Sequence, residues 1–269
     1  MISLIITFLL TGILSGFIAG LLGVGGGIII VPVSYFFLLK LGYSIDVVMH
    51  VSISSSLAVI VFTSISSIRS HFKLGNIDNK VIKKWFGGII IGSLIGSALA
   101  SEIKGQVLVI IFILLAFLIS INMFFQNNIK TRKTDIPNSF IINFFISGNI
   151  GFLSALIGIG GGSFSVPTLN FFSKQIHQAV GTSAVLGFLI AFPGAISYIF
   201  LGLNVENLPP YSIGYVNLLI VVLVASTSIF SAPFGAKISS KINKYRLKKI
   251  FAIFLLFTCV SLVIEHFII

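Results

Sequence analysis

Apolar positions fill eight runs of this chain: 2–39, 45–68, 85–100, 106–125, 139–173, 179–203, 211–236 and 250–269. Polar breaks separate them at Lys40 to Asp46, Arg69 to Lys84, Ser101 to Gly105, Gln126 to Asn138, Lys174 to Gln178, Asn204 to Pro210 and Lys237 to Lys249. Apolar stretches of about 20 residues read as membrane-spanning helices. The first and fifth runs are too long for one crossing. Each contains a glycine triplet followed by a Val-Pro step, which interrupts a helix. Each is expected to form a helical hairpin, or a span with a re-entrant arm.

Those two runs carry one motif written twice. GFIAGLLGVGGGIIIVPVSYFF starts at Gly16 and GFLSALIGIGGGSFSVPTLNFF starts at Gly151, a constant offset of 135 residues (151 − 16). Weaker matches follow in order, Val51–Leu57 with Val180–Leu186 and Ser70–Gly75 with Ser197–Gly202. Paired broken helices at matching places in two halves mark the binding centre of many secondary transporters.

Charge placement bears on topology. If every run crosses once, the basic residues divide 8 against 9 between the two sides, with no bias. If the run 139–173 turns back at Gly158 to Gly162, the division becomes 15 against 2, with Lys40 and Lys104 alone on the outer side. The positive-inside rule favours the second arrangement. If the first run folds likewise, each half has five segments, and an odd number inverts the second half. The expected fold is an all-α integral membrane protein of two inverted-topology repeats of about five transmembrane or re-entrant helices each. Residues 1–125 and 139–269 form the repeats, and 126–138 a polar cytoplasmic linker, within one structural domain. Both termini are expected outside. Gly88, Gly92 and Gly96 share a helix face at i, i+4, i+8 and are expected to admit a close helix neighbour.

The glycine breaks are the candidate binding site. Gly25, Gly26, Gly27 and Gly160, Gly161, Gly162 leave backbone N–H groups uncovered, and a helix start adds partial positive charge, which favours an anion. Non-helical backbone at membrane depth is tolerated where it lines a cavity or is buried in protein. Pro32 and Pro167 are expected at the first turn of each restarted arm, where their missing N–H is no loss, and so to mark the structural break. Two turns entering from opposite faces would point at each other near the midplane. Ser54, Thr182, Ser183 and Ser163 are candidate extra donors. Serines in membrane helices also bond to their own carbonyls, and glycine-rich turns also serve tight packing, so the residues alone leave a packing role open.

Composition excludes other classes. The chain is 57% hydrophobic and 9% charged with a mean hydropathy of +1.14, and a soluble domain of this size needs far more polar surface. The net charge of +11 is read as cytoplasmic loops that orient the protein, not as a nucleic-acid surface, because no stretch interleaves basic and aromatic residues. One cysteine, Cys259, forms no internal disulfide. All six acids lie in loops or near span ends, so no catalytic residues, metal or cofactor are expected. Gly23-x-Gly25 lacks the preceding strand and following acid of a dinucleotide fingerprint. The first segment has no basic leader and no cleavage site, and is expected to be a retained span. Candidate coupling residues are His50, His177 and Arg69, since proton carriers keep an ionisable group on the pathway. H+ or Na+ would be the coupling ion, and a uniporter is the alternative.

The paired G-x-G-G-G-x3-V-P elements, Gly23 to Pro32 and Gly158 to Pro167, with Gly181-Thr182-Ser183 after the second, resemble the TauE/SafE sulfite-exporter family. The resemblance covers the whole chain. It implies a multi-pass inner-membrane carrier of small, mostly sulfur-containing anions such as sulfite, thiosulfate or organosulfonates. In the first half Ser52-Ile53-Ser54 stands in place of Gly-Thr-Ser. Carriage of another anion such as a carboxylate, or a non-transporting scaffold role, is the alternative.

Overall fold

The computed structural model describes residues 2–125, 135–239 and 244–267, and in the last helix the side chains of 249–250 and 252–265. Lys130, Arg132, Lys133, Lys241 and the side chains of Lys244, Arg246, Lys248 and His266 lie outside the described residues, as does most of the linker 126–138. Ten helices follow in order: α1 Ile2–Leu22, α2 Gly27–Lys40, α3 Ile45–Lys73, α4 Asn79–Glu102, α5 Gly105–Phe125, α6 Phe140–Leu156, α7 Gly162–Phe171, α8 Ile176–Leu201, α9 Leu218–Ile238 and α10 Lys244–Phe267. Six of them, α1, α3, α4, α5, α8 and α9, are long and apolar enough to cross a membrane. A small antiparallel ribbon, β1 Ser212–Ile213 and β2 Val216–Asn217, precedes α9.

Local chemistry sets the helix starts. Ser44, Asp78, Ser139 and Asn217 are N-caps whose side-chain oxygens accept from Asp46 N, from Lys80 and Val81 N, from Ile142 N and from Ile220 N. Each satisfies a first-turn donor that the helix leaves open.

Packing then pairs the two halves. α1 lies along α9 and α4 along α6. Gly88, Gly92 and Gly96 press on Phe144, Gly148 and Phe152 of α6, on the face their spacing predicts, while Gly12, Gly16 and Gly20 press on Val224, Ser228 and Ala232 of α9. A methyl group at any of the six would strike a backbone carbonyl, so the absence of side chains sets the helix separation. The order of contacts shows that both pairs run parallel. α3 crosses α8 at the centre, α3 also packs on α9 and α8 on α4, α2 lies on α3 and α7 on α8, and α5 pairs with α10. Exchanging α1–α5 for α6–α10 maps each of these contacts onto another of the same set.

Two lysines report which ends coincide. Lys84 Nζ donates to Pro137 O at 3.2 Å and to Asn138 Oδ1 at 3.0 Å, just before α6. Lys174 Nζ, just after α7, meets Asp78 Oδ2 at 2.8 Å. Asp78 and Lys84 both belong to the start of α4, so α6 begins and α7 ends at the same end of the molecule. The fifth apolar run therefore turns back on itself.

The Asp78 link carries a pH prediction. Burial pushes the Asp78 carboxyl up, but the bond to Lys174 and the amides of Val81 and Lys80 outweigh it and hold it below the ordinary value of 3.8. A depressed carboxyl contributes stability that is fully present above that ordinary value and is lost as pH falls through the folded one. Asn also caps helices, so Asp78→Asn removes the charge and keeps the cap. Thermal unfolding in detergent from about pH 6 to about pH 3 is expected to fall less steeply in this variant than in wild type. Identical profiles would mean the link contributes nothing.

Candidate functional site

Each break is made by glycine. α1 ends at Leu22, and Gly23, Gly25 and Gly26 follow at φ of 70°, 75° and 79°. Left-handed Gly23 ends the incoming helix without the steric cost a side chain would add, and Gly26, also left-handed, is the N-cap of α2. The second break, between Leu156 and Gly162, is built differently. Gly158 is left-handed at 68°, whereas its N-cap Gly161 has φ −50°. The arms restart at Gly27 and Gly162, five residues before Pro32 and Pro167. This corrects the sequence expectation: the prolines lie inside α2 and α7, in the second turn, and do not mark the break. With 14 and 10 residues the arms span only about 21 Å and about 15 Å at about 1.5 Å per residue, short of a hydrocarbon core of about 30 Å.

The two turns meet. A methyl group on Gly25 would lie 2.7 Å from Gly160 Cα, and one on Gly160 would lie 2.7 Å from Gly25 Cα. On either side of this contact Gly27 abuts Gly158 O and Gly162 abuts Gly23 O. Among the described residues no hydrogen bond uses the backbone N–H of Gly25, Gly26, Gly27, Gly160, Gly161 or Gly162. No Lys, Arg, Asp or Glu is buried among the described residues, so no buried charged side chain neutralises these N–H dipoles.

The hydroxyls of α3 and α8 are partly engaged in fastening this centre. Ser56 Oγ donates to Gly158 O at 2.7 Å, and Ser183 Oγ donates to Gly23 O at 3.1 Å. Ser55 Oγ of α3 accepts from Asn217 N, the N-cap of α9, at 2.9 Å, and Thr182 Oγ1 of α8 accepts from Asp78 N, the N-cap of α4, at 2.9 Å, so each binds the N-cap residue of a helix in the other half. Ser54 Oγ donates to Tyr215 O at 2.6 Å, and Gly181 abuts Asn76 O. Ser54-Ser55-Ser56 therefore stands opposite Gly181-Thr182-Ser183, an offset of 127 (181 − 54). The sequence alignment of Ser52-Ile53-Ser54 with that triplet is two residues out of register, while the match of Ser70 with Ser197 has the observed offset. Both halves thus keep two hydroxyls at the corresponding positions.

Other hydroxyls are buried with no partner, among them Ser67, Ser163 and Ser165, along with Ser34, Tyr35, Ser154 and Tyr198. Ser163 faces a cavity of ≈ 20 Å³ beside Val24 and Met123, room for about one water. Ser67 lines a narrow cleft with Gly23, Gly25, Ser64, Ser183 and Gly187. Sequence reasoning missed Ser64, Ser67 and Gly187. The signal was present, since Ser56, Ile60, Ser64 and Ser67 recur at helical spacing on one face of α3.

Of the candidate coupling residues, His50 is buried within the protein. Its Nδ1 lies 2.7 Å from Asp46 O and its Nε2 3.1 Å from Ala100 O, and the ring stacks on Tyr215 at 4.8 Å. His177 occupies the corresponding place on α8 at the same offset of 127 and is half-buried. Arg69 is exposed near the end of α3 and joins neither. No cluster of three or more His, Cys, Asp or Glu suited to a metal occurs among the described residues.

Known proteins are similar to this chain along most of its length. The chain is 33% identical over 267 residues to a probable membrane transporter protein of Haemophilus influenzae, covering 98% of this chain and 100% of that one. Probable membrane transporter proteins of Methanocaldococcus jannaschii and Bacillus subtilis are 29% and 28% identical, covering 89% and 94% of this chain and 88% and 95% of theirs. No solved structure matches significantly. The family described as sulfite exporter TauE/SafE matches residues 8–262. The chain belongs to the TauE/SafE family and is a multi-pass membrane transporter, not an enzyme.

Proposed function

We propose that this transporter carries a small anion of the sulfur oxyanion or organosulfonate class, held near the bilayer midplane by its two glycine turns. The observation that carries the reading is the contact of Gly25 with Gly160, where two buried helix starts converge with six glycine N–H groups unused in the protein. Neutral donors suit a carrier, because a buried cation would hold the anion against release. The family description names sulfite, which supports the substrate class.

In the same reading, residues 1–125 and 139–269 are inverted halves in the inner membrane, with the linker 126–138 cytoplasmic and both termini outside. The exchanged packing partners of the two halves support this, as do the lysine bonds that gather the basic loops at one end. H+ or Na+ drives the carrier. If H+ does, His50 is the candidate, because carbonyls face both its ring nitrogens and only the doubly protonated ring donates to both.

Uptake by vesicles containing the purified protein tests the reading with radiolabelled sulfite, thiosulfate, methanesulfonate and acetate. Saturable uptake of a sulfur anion is expected, with at least about tenfold loss in folded Gly161→Val, whose side chain covers the α7 start. Uptake of acetate alone would overturn the substrate class, and full transport by Gly161→Val would overturn the site. A flattened pH profile in His50→Gln is the expected sign of proton coupling, and an unchanged profile would remove His50.

A further inference from the structure

The two sides of the glycine contact are not alike. With the offset of 127, Ile60 of α3 corresponds to Gly187 of α8, Leu57 to Ala184, Ser64 to Ala191 and Ser67 to Gly194. On the first side the Ile60 side chain reaches the turn, its Cγ2 lying 3.3 Å from where a methyl on Gly25 would be. Leu57 closes the space over Gly194, 3.1 Å from a methyl there. On the second side Gly187 stands where Ile60 stands, and Ile190 reaches Gly161 instead, its Cδ1 2.5 Å from where a methyl there would be. A methyl on Gly187 would meet nothing nearer than Ser64 Oγ at 3.6 Å and Gly161 N at 3.8 Å.

Two of the buried hydroxyls without a partner lie near it. Ser67 and Ser165 are 2% and 0% exposed and neither hydroxyl has a partner. Ser67 lines the cleft beside Gly187. Ser165 Oγ lies 3.4 Å from where a methyl on Gly161 would be, beside the unused N–H groups at the start of α7. Unpaired buried hydroxyls cost stability; one of these lines the cleft at Gly187 and the other lies at the α7 start, and Gly187 joins the two places, since a methyl on it would lie 3.8 Å from Gly161 N. Resting on the anion-carrier reading above, we infer that the anion seats on this side only, between α3, α8 and the start of α7. Ser67 and Ser165 donate to it, and Gly187 limits the size of anion admitted.

In this conformation the cleft has no room for a water molecule, so loading requires α3 and α8 to part along it. The small residues Ala184 and Gly187 leave this face freer to open than the face filled by Leu57 and Ile60.

Binding of sulfite, sulfate and methanesulfonate to the purified full chain in detergent, by calorimetry and thermal shift, tests the inference. If the wild type binds none of them, the anion-carrier reading itself fails. If it binds one, Ser67→Ala is expected to weaken that binding about tenfold or more, the worth of a hydrogen bond to a charged group. Gly187→Ala is expected to weaken the largest bound anion most. Neither variant should unfold at lower temperature without anion, because Ser67 has no partner to lose and a methyl at Gly187 meets no clash. Ile60→Val on the filled side should leave the dissociation constant within about twofold. Unchanged binding in both Ser67→Ala and Gly187→Ala, or an equal loss in Ile60→Val, would overturn the one-sided seat.

Discussion

Gly25→Ala is expected to abolish transport and to lower stability by about 2–6 kcal/mol, the sum of backbone strain and overpacking. At φ 75° a side chain is strained, and its first carbon would stand 2.7 Å from the Cα of Gly160, where backbone offers no rotamer to move aside. Gly42→Ala separates the two causes. Gly42 has φ 88° but nothing within 4 Å of the added methyl, so strain alone should cost about 1–2 kcal/mol. Thermal unfolding of both variants in detergent, with vesicle uptake, checks the difference. Equal losses would mean that the meeting of the two turns adds nothing.

Trp85→Ala is expected to lower stability by about 3–5 kcal/mol, the range for emptying a buried aromatic site. Trp85 on α4 is fully buried and its Nε1 donates to Asn143 Oδ1 on α6 at 3.0 Å. Asn143 in turn donates from Nδ2 to Pro137 O at 2.6 Å and to Ser139 O at 2.7 Å, which joins the entry of α6 to α4. Trp85→Phe keeps most of the volume but strands the Asn143 oxygen, and should cost about 1–3 kcal/mol. Adding Asn143→Leu to Trp85→Phe removes the stranded oxygen and should recover part of that loss, because Pro137 O still accepts from Lys84 Nζ and Ser139 O from the backbone N of residue 143. Unfolding midpoints of the three variants test the order, and a double variant no better than Trp85→Phe would remove the stranded-oxygen explanation.

Much of the fold was legible before any coordinates. Runs such as 45–68 and 106–125 became α3 and α5, because about 20 apolar residues in a row can satisfy their backbone only as a helix in lipid. The turning of the run 139–173 followed from counting lysines and arginines, since loop charge reports sidedness. The prolines misled for a local reason. Pro32 and Pro167 suit a helix start, but left-handed Gly23 and Gly158 end the incoming helices and the arms already restart after Gly26 and Gly161, so the prolines fall in the second turn.

Register was the harder matter. Motif matching placed Ser52-Ile53-Ser54 against Gly181-Thr182-Ser183, because short serine runs slide along one another with little change in similarity. The contacts of Gly23 with Val180 and of Gly158 with Ile53 set the offset at 127. His71 lies in the polar break after the second apolar run, yet its Nε2 lies 3.0 Å from Gly20 O in the interior. Near a helix end, depth within the protein depends on what packs alongside, which sequence position does not encode.

The amino-acid sequence by itself determined a helical membrane protein in two related halves, each with a helix broken at glycine. Those properties depend on hydropathy, backbone freedom and loop charge, which act over a few neighbouring residues. Only the tertiary structure decided that Gly25 meets Gly160, which hydroxyls are engaged, and that Ile60 fills one side of the contact while Gly187 leaves the other open. Those outcomes depend on side-chain volume between residues 135 apart along the chain (160 − 25), and close packing alone decides which of them touch.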